Sequence, residues 1–253
     1  MIIRKSPEEL DKMRRAGRIV AGTIDAVLEA VEPGRTTHDL DLVAERYIEE
    51  QGALSSFKGY KGTYPAVICA SIDAEIVHGI PSAKRKLVEG QVLSLDFGAI
   101  WEGYHADSAV TVFVGGQSPS DEASRLVKTT EEALYAGIAA AQPGGRLSDI
   151  GHAVESVASP TGLGIIREYG GHGIGRAMHE DPFISNFGRP GRGPDLRPGL
   201  VIAIEPMLVV GAEDTRVLDD DWTVVTADGS LAAHFEHTVA VTEDGPEIFT
   251  KRD

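Results

Sequence analysis

With 253 residues, 42% of them apolar and 25% charged, the chain can bury a large core and has the composition of a soluble globular protein. Its formal charge of -15 argues against a general nucleic-acid binder, and a single cysteine, Cys69, excludes an internal disulfide and fits a reducing compartment. The opening MIIRKSPEEL has no apolar leader core, and no run approaches the roughly 18 apolar residues of a membrane span, so the sequence reads as cytoplasmic.

Ser6-Pro7-Glu8-Glu9 predicts a helix start, with proline at the first helical position and Glu completing a capping box. Leu10, Met13, Val20, Ile24, Val27 and Val31 continue at helical spacing, so the first helix is expected to run to about Val31, before Pro33-Gly34. A second is predicted from Thr36 or Thr37 to Gly52, with Leu40, Val43, Ala44, Tyr47 and Ile48 on its apolar face. A loop rich in Gly and Tyr, from Phe57 to Tyr64, then leads to an expected strand at Ala66 to Ala70. Cys69 in that strand is either a small buried hydrophobe or a pocket wall. The basic cluster Lys84-Arg85-Lys86 reads as a solvated loop.

Val92 to Val114 reads as two strands joined near Trp101-Glu102-Gly103, since Leu93, Leu95 and Phe97 alternate with Ser94, Asp96 and Gly98. Closure symmetric about Trp101-Glu102 sets Asp96 opposite Asp107, where like charges repel. No Lys or Arg occurs between Lys86 and Arg125 to neutralise them. Beyond the hairpin, Ser120 is expected to cap a third helix ending before Pro143-Gly144, and Ser148 to start a fourth through Val154 and Val157. A glycine-dense stretch, Gly162 to Gly175, encloses His172. Further strands are predicted in LVIAIEPM, which holds Glu205, at Trp222 to Thr226, and at Ala232 to Thr242, which holds Glu236.

The two halves, roughly 1–115 and 116–253, echo each other. Pro33-Gly34 recurs as Pro143-Gly144, His78-Gly79-Ile80 as His172-Gly173-Ile174, and Asp107-Ser-Ala-Val-Thr-Val as Glu236-His-Thr-Val-Ala-Val. Glu89-Gly90 before the Asp96 strand corresponds to Pro198-Gly199 before the Glu205 strand. The shared order suggests one pseudo-symmetric catalytic domain, 1–253, with a site on the axis. The fold class predicted is α+β: a curved, mainly antiparallel sheet with four outer helices.

Asp96, Asp107, Glu205 and Glu236 all lie in apolar surroundings without an adjacent basic residue. An unpaired buried carboxylate costs several kcal/mol or more. Any one of them could be satisfied by backbone N–H groups at a strand end; four together call for one or two divalent cations. Carboxylates with one or two imidazoles suit Mn, Fe, Co or Zn. His78, His172 and His179 supply imidazoles in Gly- or Pro-flanked turns rather than on helix faces.

The order Asp96, Asp107, His172, Glu205, Glu236, with Gly170-Gly171-His172-Gly173-Ile174-Gly175 before Met178-His179-Glu180 and with Ile204-Glu205-Pro206, resembles the type I methionine aminopeptidases over almost the whole chain. That resemblance implies the pita-bread fold and two divalent ions per chain (Co2+, Mn2+, Fe2+ or Zn2+). Asp96 would hold one ion and His172 with Glu205 the other, while Asp107 and Glu236 bridge both. A bridging hydroxide would attack the carbonyl of the N-terminal methionine, with Glu205 as proton acceptor. His179 would stabilise the oxyanion, and His78 would touch the scissile amide or the next residue. Tyr60, Tyr64, Cys69, Met178 and Trp222 would line the methionine pocket.

The implied substrate is the N-terminus of a nascent polypeptide with a small second residue. A monomer with no membrane partner suffices, and ribosome contact is left open. The run Tyr60-Lys61-Gly62-Thr63-Tyr64 is one residue longer than the family's tyrosine-rich loop, and Met178 replaces a common aromatic; both bear on specificity. The alternatives are a proline-directed aminopeptidase or dipeptidase on the same fold, and a catalytically dead binding domain.

Overall fold

Ser6 closes the capping box at the start of α1 (Pro7–Leu28): the Glu9 amide donates to its hydroxyl, and its own amide donates to Glu9 Oε2 at 2.9 Å. A computed structural model describes residues 1–252. α1 ends short of Val31 because Ala30 and Val31 bond three residues back, which tightens the last turn ahead of Pro33. α2 (Thr37–Glu50) and α3 (Asp121–Ala140) start at the expected caps, Thr36 and Ser120. α4 (Leu147–Ala158) begins one residue before the predicted Ser148. Asp149 Oδ2 accepts from the Arg146 amide, while Ser148 Oγ is engaged by the amide of Arg192.

The first half supplies β1 (Leu54–Ser55), β2 (Ile68–Ile72), β3 (Glu75–Val77), β4 (Val92–Trp101) and β5 (Tyr104–Phe113). The second supplies β6 (Gly164–Ile165), β7 (Gly171–Gly173), β8 (Glu180–Ile184), β9 (Val201–Ile204) and β10 (Met207–Val209). It continues with β11 (Thr215–Val217), β12 (Val224–Thr226), β13 (Ala232–His234), β14 (His237–Thr242) and β15 (Gly245–Ile248). These strands pair antiparallel throughout, and their hydrogen bonds divide them into four sheets. β4 lies between β2 and β5, and β9 between β7 and β14, so the two halves repeat one three-strand arrangement. The main core fills the space between these strands and the helices, with Ile19, Ile24, Leu40, Leu95, Phe97, Leu134, Ile202 and Val239 buried together.

The echo in sequence is an echo in space. Gly34 and Gly144 both take positive φ, 93° and 85°, and their amides donate to Leu87 O and Leu196 O, each at 2.8 Å. Isolated bridges join Thr36 to Lys86 and Arg146 to Asp195 at equivalent points. At the axis, Ala109 and Glu236 exchange backbone hydrogen bonds of 3.3 and 2.9 Å.

Two expectations about the strands need correction. The central hairpin turns on Glu102-Gly103, both left-handed at φ 47° and 80°, so Trp101 pairs with Tyr104 and Asp96 faces Ala109. Asp107 pairs with Gly98 and is a diagonal neighbour of Asp96 on the same face. The LVIAIEPM strand and the Ala232 to Thr242 strand are each interrupted. Glu205-Pro206 separates β9 from β10, and Phe235-Glu236 separates β13 from β14. Proline at 206 has no N–H for a ladder, and at both breaks the acidic side chain leaves the pleat.

Candidate metal centre

Five segments deliver the four acids and one imidazole to a common point. Asp96 and Asp107 come from the central hairpin; Glu205 and Glu236 come from the two interruptions. His172 sits in β7, whose flanking glycines are dictated by close packing. A Cβ on Gly171 would lie 2.3 Å from Ala203 O, and one on Gly173 would lie 2.1 Å from Asp181 O. Only glycine lets β7 fit between β8 and β9.

Ligand atoms of Asp107, His172 and Glu236 all lie within 4.8 Å of one another, and all three residues are buried. Glu205 joins them, its Oε1 3.5 Å from His172 Nε2 and its Oε2 3.6 Å from His234 Nε2. His172 Nε2 is also 4.0 Å from Asp107 Oδ2. His172 Nδ1 lies 2.9 Å from Gly173 O, which fits a proton on Nδ1 and a free Nε2 lone pair aimed at the acids.

Buried carboxylate atoms Asp96 Oδ1, Asp107 Oδ1 and Glu236 Oε1 have no hydrogen-bond partner. Among the described residues, the basic groups within ion-pair distance of these acids are imidazoles. Burial pushes Asp96 up to about 6 and Glu205 up to about 8. Asp107 and Glu236 rise for the same reason, helped by the other carboxylates. Burial pulls His172 down to about 3, leaving a neutral imidazole. Orphaned acid oxygens, a neutral imidazole with a free lone pair and a shortage of positive charge form a donor set that fits divalent cations.

The cluster floors a cavity of about 360 Å³. Every residue named from the sequence lines it: Asp96, Asp107, His172, Glu205 and Glu236 at the base, with His78, His179, Tyr60, Tyr64, Cys69, Met178 and Trp222 as walls. Phe57, Tyr64, Ala66, Cys69 and Met178 pack as one buried apolar cluster, with Tyr60 and Trp222 against it. Tyr64 stands edge-on to Trp222 at 5.0 Å, its hydroxyl donating to Ile68 O at 3.0 Å. Cys69 is buried, and burial pushes its thiol up, so it presents a neutral, polarizable surface.

His179 is at the mouth. Its ring lies 4.2 Å from that of His172, and its Nδ1 is 2.7 Å from the Tyr60 hydroxyl. His78 holds φ 62° and stands edge-on to Trp222 at 6.2 Å, with burial pulling it down to about 4. A positive φ at a non-glycine residue on a cavity wall is strain of the kind that collects at working sites. The long tyrosine loop closes through consecutive left-handed residues, Lys61 at φ 48° and Gly62 at φ 79°.

Four participants were not read from the sequence. Phe57 and Lys61 line the cavity. Asn186 is buried and donates from Nδ2 to Glu205 O at 3.0 Å. His234 is buried beside Glu205. Its position two residues before Glu236 was the one available signal.

The sequence matches metallopeptidase family M24 over residues 11–243. A methionine aminopeptidase of Clostridium acetobutylicum is 50% identical over 250 residues, covering 99% of this chain and 99% of that protein. Methionine aminopeptidase 1 of Mycobacterium tuberculosis is 52% identical over 256 residues, covering 99% and 95%. The crystal structure of a methionine aminopeptidase from Thermotoga maritima gives a TM-score of 0.96 at 41% identity and covers 100% of both chains. A prolidase from Pyrococcus furiosus shares the fold at 23% identity, with a TM-score of 0.77 over 99% of this chain and 66% of that one. The architecture is thus the pita-bread fold expected from the sequence.

Proposed function

Because this chain belongs to metallopeptidase family M24, and within it to the methionine aminopeptidases, we propose that it removes the N-terminal methionine from new polypeptides by metal-dependent hydrolysis. The observation that carries this reading is the juxtaposition of unpartnered buried acids with an apolar, sulfur-containing cavity of about 360 Å³. Asp96, Asp107, His172, Glu205 and Glu236 would together hold the divalent ions. Ions of the Co2+, Mn2+, Fe2+ or Zn2+ class would supply Lewis acidity and a water of lowered pKa.

The chain's own residues do the rest. Phe57, Tyr64, Cys69, Met178 and Trp222 take the methionine side chain and exclude water around it. Glu205 takes up the proton of the attacking water and returns it to the departing amine. His179, held by the Tyr60 hydroxyl, donates toward the oxygen of the scissile carbonyl. His78 contacts the scissile amide or the second residue, where a small side chain is preferred. The whole chain acts as one catalytic domain, a cytoplasmic monomer working on nascent N-termini.

Metal-stripped protein should release free methionine from a Met-Ala-Ser peptide only after Co2+, Mn2+, Fe2+ or Zn2+ is titrated in. Cleavage of an X-Pro peptide in its place would move the assignment to a proline-directed peptidase. Tight metal binding without cleavage of either peptide would leave a binding domain.

A further inference from the structure

His234 is a buried imidazole for which the proposed reaction has no use, and its Nε2 has no hydrogen-bond partner. It is held with unusual firmness. Its amide donates to Thr111 Oγ1 at 3.0 Å, and the same hydroxyl donates to its carbonyl at 2.7 Å. Thr111 Oγ1 is in turn 2.8 Å from Ser94 Oγ, so the clamp reaches the central hairpin. β13 pairs with β10 in the register Met207–His234. Glu205 precedes Met207 by two residues, and its side chain meets His234 beside Pro206. Phe235 closes that corner by donating its amide to Pro206 O.

Glu205 thus has one imidazole nitrogen for each carboxylate oxygen. Oε1 is 3.5 Å from His172 Nε2, on the side of Asp107 and Glu236, and Oε2 is 3.6 Å from His234 Nε2. His172 spends its N–H on Gly173 O and offers a lone pair, whereas the unpartnered Nε2 of His234 is free to carry an N–H. We propose that His234 is a positioning residue: its Nε2–H holds Oε2 of Glu205, leaving Oε1 turned toward His172 and the acids that would hold metal. Asn186 fixes the backbone of Glu205 through its carbonyl, and His234 fixes the other end, the carboxylate. This inference rests on the assignment of Glu205 above.

The test uses three full-length variants. His234→Gln can place an amide N–H near the lost Nε2–H; His234→Asn is too short to reach, and His234→Leu has no donor. Calorimetric titration of the metal-stripped proteins with Mn2+ and Co2+ should show wild-type-like affinity for the Gln variant. It should show a loss of roughly 10- to 100-fold for Asn and Leu, the scale on which outer partners of metal ligands act. The visible spectrum of the Co2+ form should change in Asn and Leu and be restored in Gln. On Met-Ala-Ser, kcat should fall in Asn and Leu with KM nearly unchanged.

Wild-type affinity, spectrum and kcat in Asn or Leu would overturn the positioning role. So would equal losses in Gln and Asn, since volume rather than the donor would then matter. If the Leu variant does not fold, the Gln and Asn pair still decides the question. Failure of the wild-type protein to bind metal or release methionine would instead overturn the assigned function, so the two failures are distinct.

Discussion

Thr238 Oγ1 is bonded twice to Asp107, accepting from its amide and donating to its carbonyl, both at 2.8 Å. The backbone at Asp107 is therefore fixed without help from its carboxylate. At the related position, Glu236 is fixed by its backbone exchange with Ala109. In both places the main chain supplies the geometry, and the side chain is free to carry charge.

Asp107→Ala and Glu236→Ala should accordingly abolish methionine release while leaving far-UV circular dichroism unchanged. Removing one buried acid from a mutually repelling set also lowers the cost of the metal-free state. The stripped variants should melt no lower than the stripped wild type. Turnover retained in either variant would sink the two-metal assignment.

His179→Ala should lower kcat by roughly 10²–10³, the usual loss on removing one oxyanion donor. Tyr60→Phe removes the partner of His179 Nδ1 but leaves the ring, so its effect should be in the same direction and smaller. An effect confined to KM in His179→Ala would assign that residue to binding.

Metal-free stability should depend on pH with a definite sign. Burial raises Asp96 to about 6 and Glu205 to about 8, and shifts Asp107 and Glu236 the same way. Each binds its proton more tightly folded than unfolded, so the stabilisation is complete below the ordinary carboxyl pKa of about 4. It is lost as pH rises through about 6 and then about 8. The melting temperature of stripped protein should fall across that window. Added metal, which needs ionised ligands, should help most at its alkaline end. A stripped protein that grows steadily more stable from about pH 5 to about pH 8 contradicts this account.

Lys5 and Glu180 form a buried ion pair at 2.7 Å, with the side chains 3% and 11% exposed. The pair ties the N-terminal arm to the loop that carries Met178 and His179. Losing one partner of a buried pair costs about 3–5 kcal/mol, so Lys5→Met should lower the denaturant midpoint markedly. Lys5→Met with Glu180→Gln should recover much of the loss. A double variant no better than either single would show that the pair is not coupled.

Most of the site was legible because its chemistry is written in composition and local spacing. Asp96, Asp107, Glu205 and Glu236 stood out as acids in apolar surroundings, and His172 as an imidazole among glycines. Register was less legible. Glu102 and Gly103 both take left-handed backbone, which shifts the turn by one residue and moves Asp107 from opposite Asp96 to the diagonal. Nothing in alternating hydrophobicity separates those two closures, since both keep the acids on one face. The interruption at Glu205 had a local mark in Pro206, whereas Ala232 to Thr242 holds no Pro or Gly to mark the one at Glu236. His234 and Asn186 act through contacts made only after distant strands meet, so local pattern could not reveal them.

The axis has a further consequence. Asp96 and Asp107 come from the first half, and His172, Glu205 and Glu236 from the second, so the proposed centre lies at what is in effect an internal subunit interface. A chain cut in the exposed Gly115-Gly116 turn gives two fragments, each carrying the strand edge its counterpart needs and neither holding a whole site. Co-expressed, they should reassemble by strand complementation, with activity rising as the product of the two concentrations and divalent metal lowering the concentration needed.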